Sequence, residues 1–185
     1  GSLSGDDSSS AAAGSSDLTA LSVGVIPIVD TAPIWLGKEQ GFFEDEGIDL
    51  DIQTTTGGAA AVPGVVSGDF QFAFGNVVSV MVANDKGLNL EFVSNGNSTT
   101  GDTTSDFGAV VVPADSDIET AADLAGKTVS VNNLSNIGDT TIRKVVENAG
   151  GDQESIKFVE IPFPDAPAAI EGGQVDAAWI LDPFL

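Results

Sequence analysis

Chemistry in this chain has to be done without the usual reactive side chains. Its 185 residues include no His, no Cys and no Tyr. Nucleophilic catalysis of the Ser–His or Cys–His kind is excluded, and so are a disulfide framework and a Cys/His zinc site. General acid–base work would fall to carboxylates or Lys. Carboxylates alone can hold a hard cation, but no Asp-x-Asp-x-Asp-Gly calcium loop is present. What remains is hydrogen bonding from residues that follow apolar runs and open helices. Asp30, Thr31 and Ala32 stand before the first helix and read equally as a plain N-cap or a ligand contact. Gly57 and Gly58 precede the second helix, either as a simple turn or as backbone N–H groups for an oxygen. Asn76 offers an amide, and Ser135, Asn136 and Gly138 head a later helix. Phe163 and Asp165 follow a strand, and Asp182 can accept from a ligand donor. Trp35 is a stacking wall or a core residue, whereas Trp179, inside a strand, is expected in the core.

The elements that would position these residues are legible as short apolar runs punctuated by Gly and Pro. Val23, Val25 and Ile26 form a strand, and Pro33 begins a helix that Gly41 ends. Phe42 and Phe43 are expected to cap that helix on its apolar side. Ile48, Leu50 and Ile52 alternate with polar residues as a second strand, so the crossover implies a parallel sheet. Further along, the pattern predicts a helix over 59–67 kinked or delayed by Pro63, and a strand carrying Phe70, Phe72 and Phe74. A helix follows over 77–85 and a strand over 88–94. Strands are also expected at 107–112, 128–131, 156–161 and 175–180, with helices after Asn136 and over 166–171. Ile142, Val145, Val146 and Ala149 mark the buried face of the helix after Asn136.

Two stretches resemble each other: Val23 to Gly41 is similar to Val129 to Gly150, and Gly68 pairs with Gly173 at nearly the same offset. Two similar α/β lobes with mainly parallel sheets are therefore expected around a ligand cleft. Residues 17–94 form lobe one and 95–185 lobe two, divided at the polar stretch 95–105. The repeat sets Asp30 opposite Asn136.

Acidic residues number 28 against 6 basic ones, a net charge of -22. That argues against nucleic-acid backbones and anionic membrane surfaces as direct partners and fits a highly soluble protein. No apolar run reaches the length of a membrane span, and no signal peptide is recognisable. Residues 1–16 are small and polar and read as a flexible linker, either a lipoprotein tether or an ordinary end behind a cloning remnant at Gly1-Ser2.

Four segments carry a specific resemblance: APIWLGKEQGFFEDEGIDLDI, GGAAAVPGVVSGDFQFAFGN, DLAGKTVSVNNLSNIGDTTIRKVVENAG and AAIEGGQVDAAWILDPF. In this order they are similar to the substrate-binding proteins of bacterial ABC importers, in the branch for nitrate, sulfonate, taurine and thiamine precursors. The resemblance runs from Leu21 to the end. It implies a hinged, two-lobed type 2 periplasmic-binding-protein fold that delivers one small molecule to a membrane permease. It also implies a periplasmic or extracellular place, with a lipid anchor through a residue upstream of this chain. A monomer without cofactor or metal is expected. In the family, the loop of Ser135, Asn136 and Gly138 contacts ligand. Members are longer, so the resemblance implies that this chain is C-terminally truncated, a fragment or an incomplete gene. An enzyme branch making the thiamine pyrimidine shares the fold but depends on His and a Cys-rich motif, both lacking here. The six basic residues stand outside the expected cleft loops, although Arg143 could reach from its helix. Asp30 and Asp182 favour a ligand with N–H or O–H donors, a thiamine-precursor pyrimidine or similar heterocycle, over a sulfonate.

Overall fold

The computed structural model describes residues 17–185; the expected linker 1–16 lies outside the described residues. Strand β1 (Thr19–Val25) turns its odd-numbered apolar residues Leu21, Val23 and Val25 to one face. A 3-10 turn at Val29–Thr31 leads into α1 (Ala32–Glu39), with Pro33 in its first turn, where a missing N–H costs nothing. Gly41, at φ 79, stops that helix and starts the short α2 (Phe42–Asp45). Phe43 packs on the core of β1, but Phe42 is 62% exposed and caps nothing apolar. Strand β2 (Ile48–Thr54) then pairs in parallel with β1 along its whole length.

Helix α3 (Gly58–Ser67) runs through Pro63, which is neither a stop nor a late start. Strand β3 is only Phe72–Ala73. Phe70, expected in it, folds back instead. Its N–H donates to the Gly64 carbonyl, and its ring fills the space that side chains at Gly24 and Gly64 would need. Helix α4 (Val77–Asp85) begins at the Asn76 cap, whose Oδ1 accepts from the Ser79 N–H at 3.1 Å.

The strand expected over 88–94 does not form. That segment is unpaired, with Phe92 and Val93 mostly exposed, and is pinned by the Asn84 amide, which bonds both N–H and C=O of Leu90. An alternating pattern makes a strand only where a neighbour supplies ladder bonds, and β3 presents only two residues.

In the second half, β4 (Gly108–Val111) precedes a 3-10 turn at Ala121–Leu124 and then β5 (Thr128–Val131). Helix α5 (Ile137–Asn148) buries Ile142 and Val146 on β5 and ends before Gly150, at φ 82. Strand β6 (Lys157–Glu160), a 3-10 turn at Phe163–Asp165, α6 (Ala166–Glu171) and β7 (Ala177–Leu181) complete the chain. The unbroken apolar run of β7 reflects its central place in its sheet.

The first sheet has the order β2-β1-β3 and the second β4-β7-β5-β6. Strands β6-β5-β7 thus repeat the order β2-β1-β3. All pairs are parallel except β4 with β7, and β4 has no counterpart in the first sheet. The two sheets are joined by an apolar floor of Ile26, Ile28, Phe163 and Leu181, with Phe74, Phe107, Trp179 and Phe184 against it.

Candidate functional site

The carboxyl ends of parallel strands, where helices begin, are the places at which open α/β sheets bind ligands. Here such ends from both sheets converge on one seam. From the first sheet come the turn after β1, Gly57 and Gly58 at the head of α3, and Asn76 at the head of α4. From the second come Asn132 and Asn133 after β5, Asn136 at the head of α5, and the turn at Phe163–Asp165 after β6.

The seam is polar at its upper side. Asn76 Nδ2 donates to Asn136 Oδ1 at 2.9 Å, and Ser79 Oγ donates to the same oxygen at 3.2 Å. Asn132 Nδ2 donates to the Thr56 carbonyl at 3.0 Å. Gly57 packs on Asn133 so closely that a Cβ on it would lie 2.1 Å from Asn133 Oδ1. Asp139 holds this part of the second wall in shape, accepting from the Ser135 and Asn136 N–H groups, both at 2.7 Å.

Two hollows flank this contact. A cavity of about 220 Å³ lies between residues 26–27 and 54–56 of the first half and 162–164 of the second. A groove of about 730 Å³ reaches Asp30, Gly58 and Ser79 and continues along the free edge of β3 under residues 89–96. Neither is lined by Lys or Arg. Arg143 does not reach the seam: its guanidinium stacks over Phe158 at 4.9 Å and donates to the Gln153 carbonyl. Among the described residues no cluster of His, Cys, Asp or Glu could hold a metal ion.

The structure brings Gly57, Gly58, Asn76 and Asn136 together at the seam. Asp30 lines the larger groove and accepts from Asn97 Nδ2, while its Oδ1 has no partner among the described residues. Thr31 turns its hydroxyl inward, donating to the Ile26 and Ile28 carbonyls, so its side chain shapes the loop. Ala32 is an exposed first residue of α1. Trp35 is 44% exposed and joins none of the apolar clusters. Ser135 is exposed at φ 51, and Gly138 is the bed for the Trp179 ring, 2.5 Å from where its Cβ would be. Phe163 is buried in the floor, edge-on to Trp179 at 5.2 Å. Asp165 is exposed beside it. Asp182 meets the first half through its backbone, its carbonyl accepting from the Val29 N–H at 2.9 Å.

Sequence reasoning missed Asn132, Asn133, Ser79 and the Thr56 carbonyl. The signal for the first two was available: they directly follow the apolar run of β5, closer to the strand end than Ser135.

Comparison with known proteins bears on what such a seam is for. The formylaminopyrimidine-binding protein of Halalkalibacterium halodurans is 28% identical over 144 residues, which are 78% of this chain and 41% of that protein. The alkanesulfonate-binding protein SsuA of Xanthomonas axonopodis pv. citri, solved with MOPS, superposes with a TM-score of 0.72 at 21% identity. That match covers 89% of this chain and 55% of SsuA. The periplasmic nitrate-binding protein NrtA of Synechocystis PCC 6803 gives a TM-score of 0.68 at 14% identity, over 91% of this chain and 48% of NrtA. The fold is therefore that of these solved binding proteins, and the chain spans about half of the length of the proteins it matches. Residues 28–183 match the family described as NMT1/THI5 like, and the chain belongs to that family.

Proposed function

We propose that this chain is the ligand-capturing part of a solute-binding protein of an ABC importer, a binder rather than an enzyme. Residues 17–94 and 95–185 serve as its two lobes, and the ligand is a small organic molecule held in the interlobe seam. The observation that carries this reading is the amide cluster Asn76–Asn136–Ser79. It joins loops from the carboxyl ends of two equivalent sheets, where a ligand between them would find donors and acceptors from both sides. The family's relatives support it: their names describe proteins that bind formylaminopyrimidine, alkanesulfonate and nitrate. Both hollows lack Lys and Arg, which favours a donor-bearing heterocycle over a bare anion. A permease partner, a periplasmic or extracellular place and a lipid anchor upstream belong to the same reading.

The test is thermal unfolding of the chain with a formylaminopyrimidine, an alkanesulfonate and nitrate, each over a concentration series. A ligand that binds only the folded chain stabilises it by about 2.7 kcal/mol at a hundred times its Kd. A concentration-dependent rise in Tm with the formylaminopyrimidine is expected. No rise with any of the three would remove this reading.

A further inference from the structure

Among the described residues three buried side-chain atoms lack a hydrogen-bond partner, Asp30 Oδ1, Ser130 Oγ and Asn133 Oδ1, and the last stands at the seam between Gly57 and the second wall. Asn133 is 5% exposed, and its Oδ1 has no hydrogen-bond partner among the described residues. Its Nδ2 donates to the Asn132 carbonyl at 2.7 Å, which sets the other end of the amide as the acceptor. That acceptor is aimed at the start of α3, against Gly57. Thr56, just before Gly57, lines the smaller cavity, and Gly58, just after it, lines the larger groove. The Gly57–Asn133 contact therefore stands between the two hollows.

We propose that Asn133 Oδ1 is a specificity-determining acceptor that takes a hydrogen bond from an N–H donor of the ligand once the lobes part to admit it. The proposal rests on reading the seam as a small-molecule site. A buried acceptor with no donor is costly, and the cost is removed when a ligand supplies the donor. The same oxygen repels a ligand group that offers only oxygens. No cationic side chain lines either hollow to offset that repulsion. The head of α3, a ten-residue helix, places free backbone N–H groups beside the acceptor. A ligand that satisfies both carries a donor next to an acceptor, the pattern of an amide or an amino-substituted ring nitrogen. Sulfonate and nitrate lack that donor.

Isothermal titration with matched ligands tests this. The probes are a formylaminopyrimidine, its analogue with every N–H, of formamide and ring amino group alike, methylated, and methanesulfonate, each titrated into the wild-type chain and into Asn133→Leu. In the wild type, loss of the N–H should weaken binding by about tenfold or more, and methanesulfonate should bind more weakly than the formylaminopyrimidine. In Asn133→Leu the parent ligand should bind about tenfold more weakly, and methylation should cost little more, a coupling that a purely structural residue would not show. If the methylated ligand or methanesulfonate binds the wild type as tightly as the parent, the proposal is wrong while the binding reading stands, whatever the variant does. If the wild type binds the parent ligand and methylation costs both proteins alike, the donor is read elsewhere. If the wild type binds none of the three, the binding reading fails and the proposal with it.

Discussion

At the scale of single residues, the seam is a set of short amides and glycines, and space decides as much as polarity. Asn136 is only partly used: its N–H is bonded to Asp139 and its Oδ1 takes two donors from the first half, which leaves its Nδ2 as the donor for a ligand. Gly57 is different. Its backbone is extended at φ 170, which any residue adopts, so it is not a glycine for conformational reasons. It is a glycine because Asn133 Oδ1 and Asn132 Nδ2 occupy the volume of a side chain, at 2.1 and 2.6 Å from the Cβ position. Gly57→Ala must therefore push both asparagines off the head of α3 and break the Asn132–Thr56 bond. Overpacking of this kind costs about 1–3 kcal/mol. The expected outcome is a lower Tm, together with a larger radius of gyration in solution scattering as the halves separate. An unchanged Tm and an unchanged radius would mean that the seam does not hold the lobes as described.

At the scale of elements, the chain builds its site by ending strands in loops that start helices, and these joints were largely readable. Helices α4, α5 and α6 follow the caps and Gly stops expected for them, because Asn76, Asn136, Gly150 and Gly173 act locally, and strand β5 falls at the expected 128–131. What could not be read depends on distant partners. Residues 88–94 alternate like a strand but find no free ladder, and Phe70 is drawn out of β3 by the gaps at Gly24 and Gly64. Asn133 looked like any loop residue until Gly57 came against it. Local capping also has an acid signature. In the turn before β5, Asp123 accepts from the Glu119 and Thr120 N–H groups at 3.0 and 2.8 Å, and these backbone bonds hold its carboxyl below the usual carboxylate range. A carboxylate held low when folded contributes stability above its unfolded pKa, about 3.9, and loses that contribution as pH falls through the lower folded value. Asp123→Asn should thus lower stability near neutrality and flatten its decline below about pH 4 relative to the wild type. Unfolding midpoints from pH 7 to pH 2 measure this. Parallel curves for the two proteins would show that the cap contributes no pH dependence.

At the scale of the whole molecule, two sheets of matching order lean on one apolar floor, and a net charge of -22 is spread over the chain around them. Little of that charge is neutralised by pairing. Among the described residues two ion pairs occur, and both are solvent-facing. Lys127 stands 3.7 Å from an Asp117 side chain that is 88% exposed, and Lys144 lies 2.8 Å from Glu147 with both side chains more than half exposed. Pairs of that kind contribute about 0–1 kcal/mol each. Repulsion among like charges acts over the whole surface and opposes the compact state. Salt should therefore stabilise this protein rather than weaken it. The screening length falls from about 10 Å at 0.1 M salt to about 3 Å at 1 M, short enough to uncouple carboxylates on neighbouring elements. Raising sodium chloride from 0.05 to 1 M, concentrations that span this range, should raise Tm, most steeply in the first part of the titration. Potassium chloride should do the same, because screening depends on ionic strength rather than on the cation. A fall in Tm with either salt would mean that the few ion pairs outweigh the excess of acidic charge. A rise with one cation alone would replace general screening by a specific site.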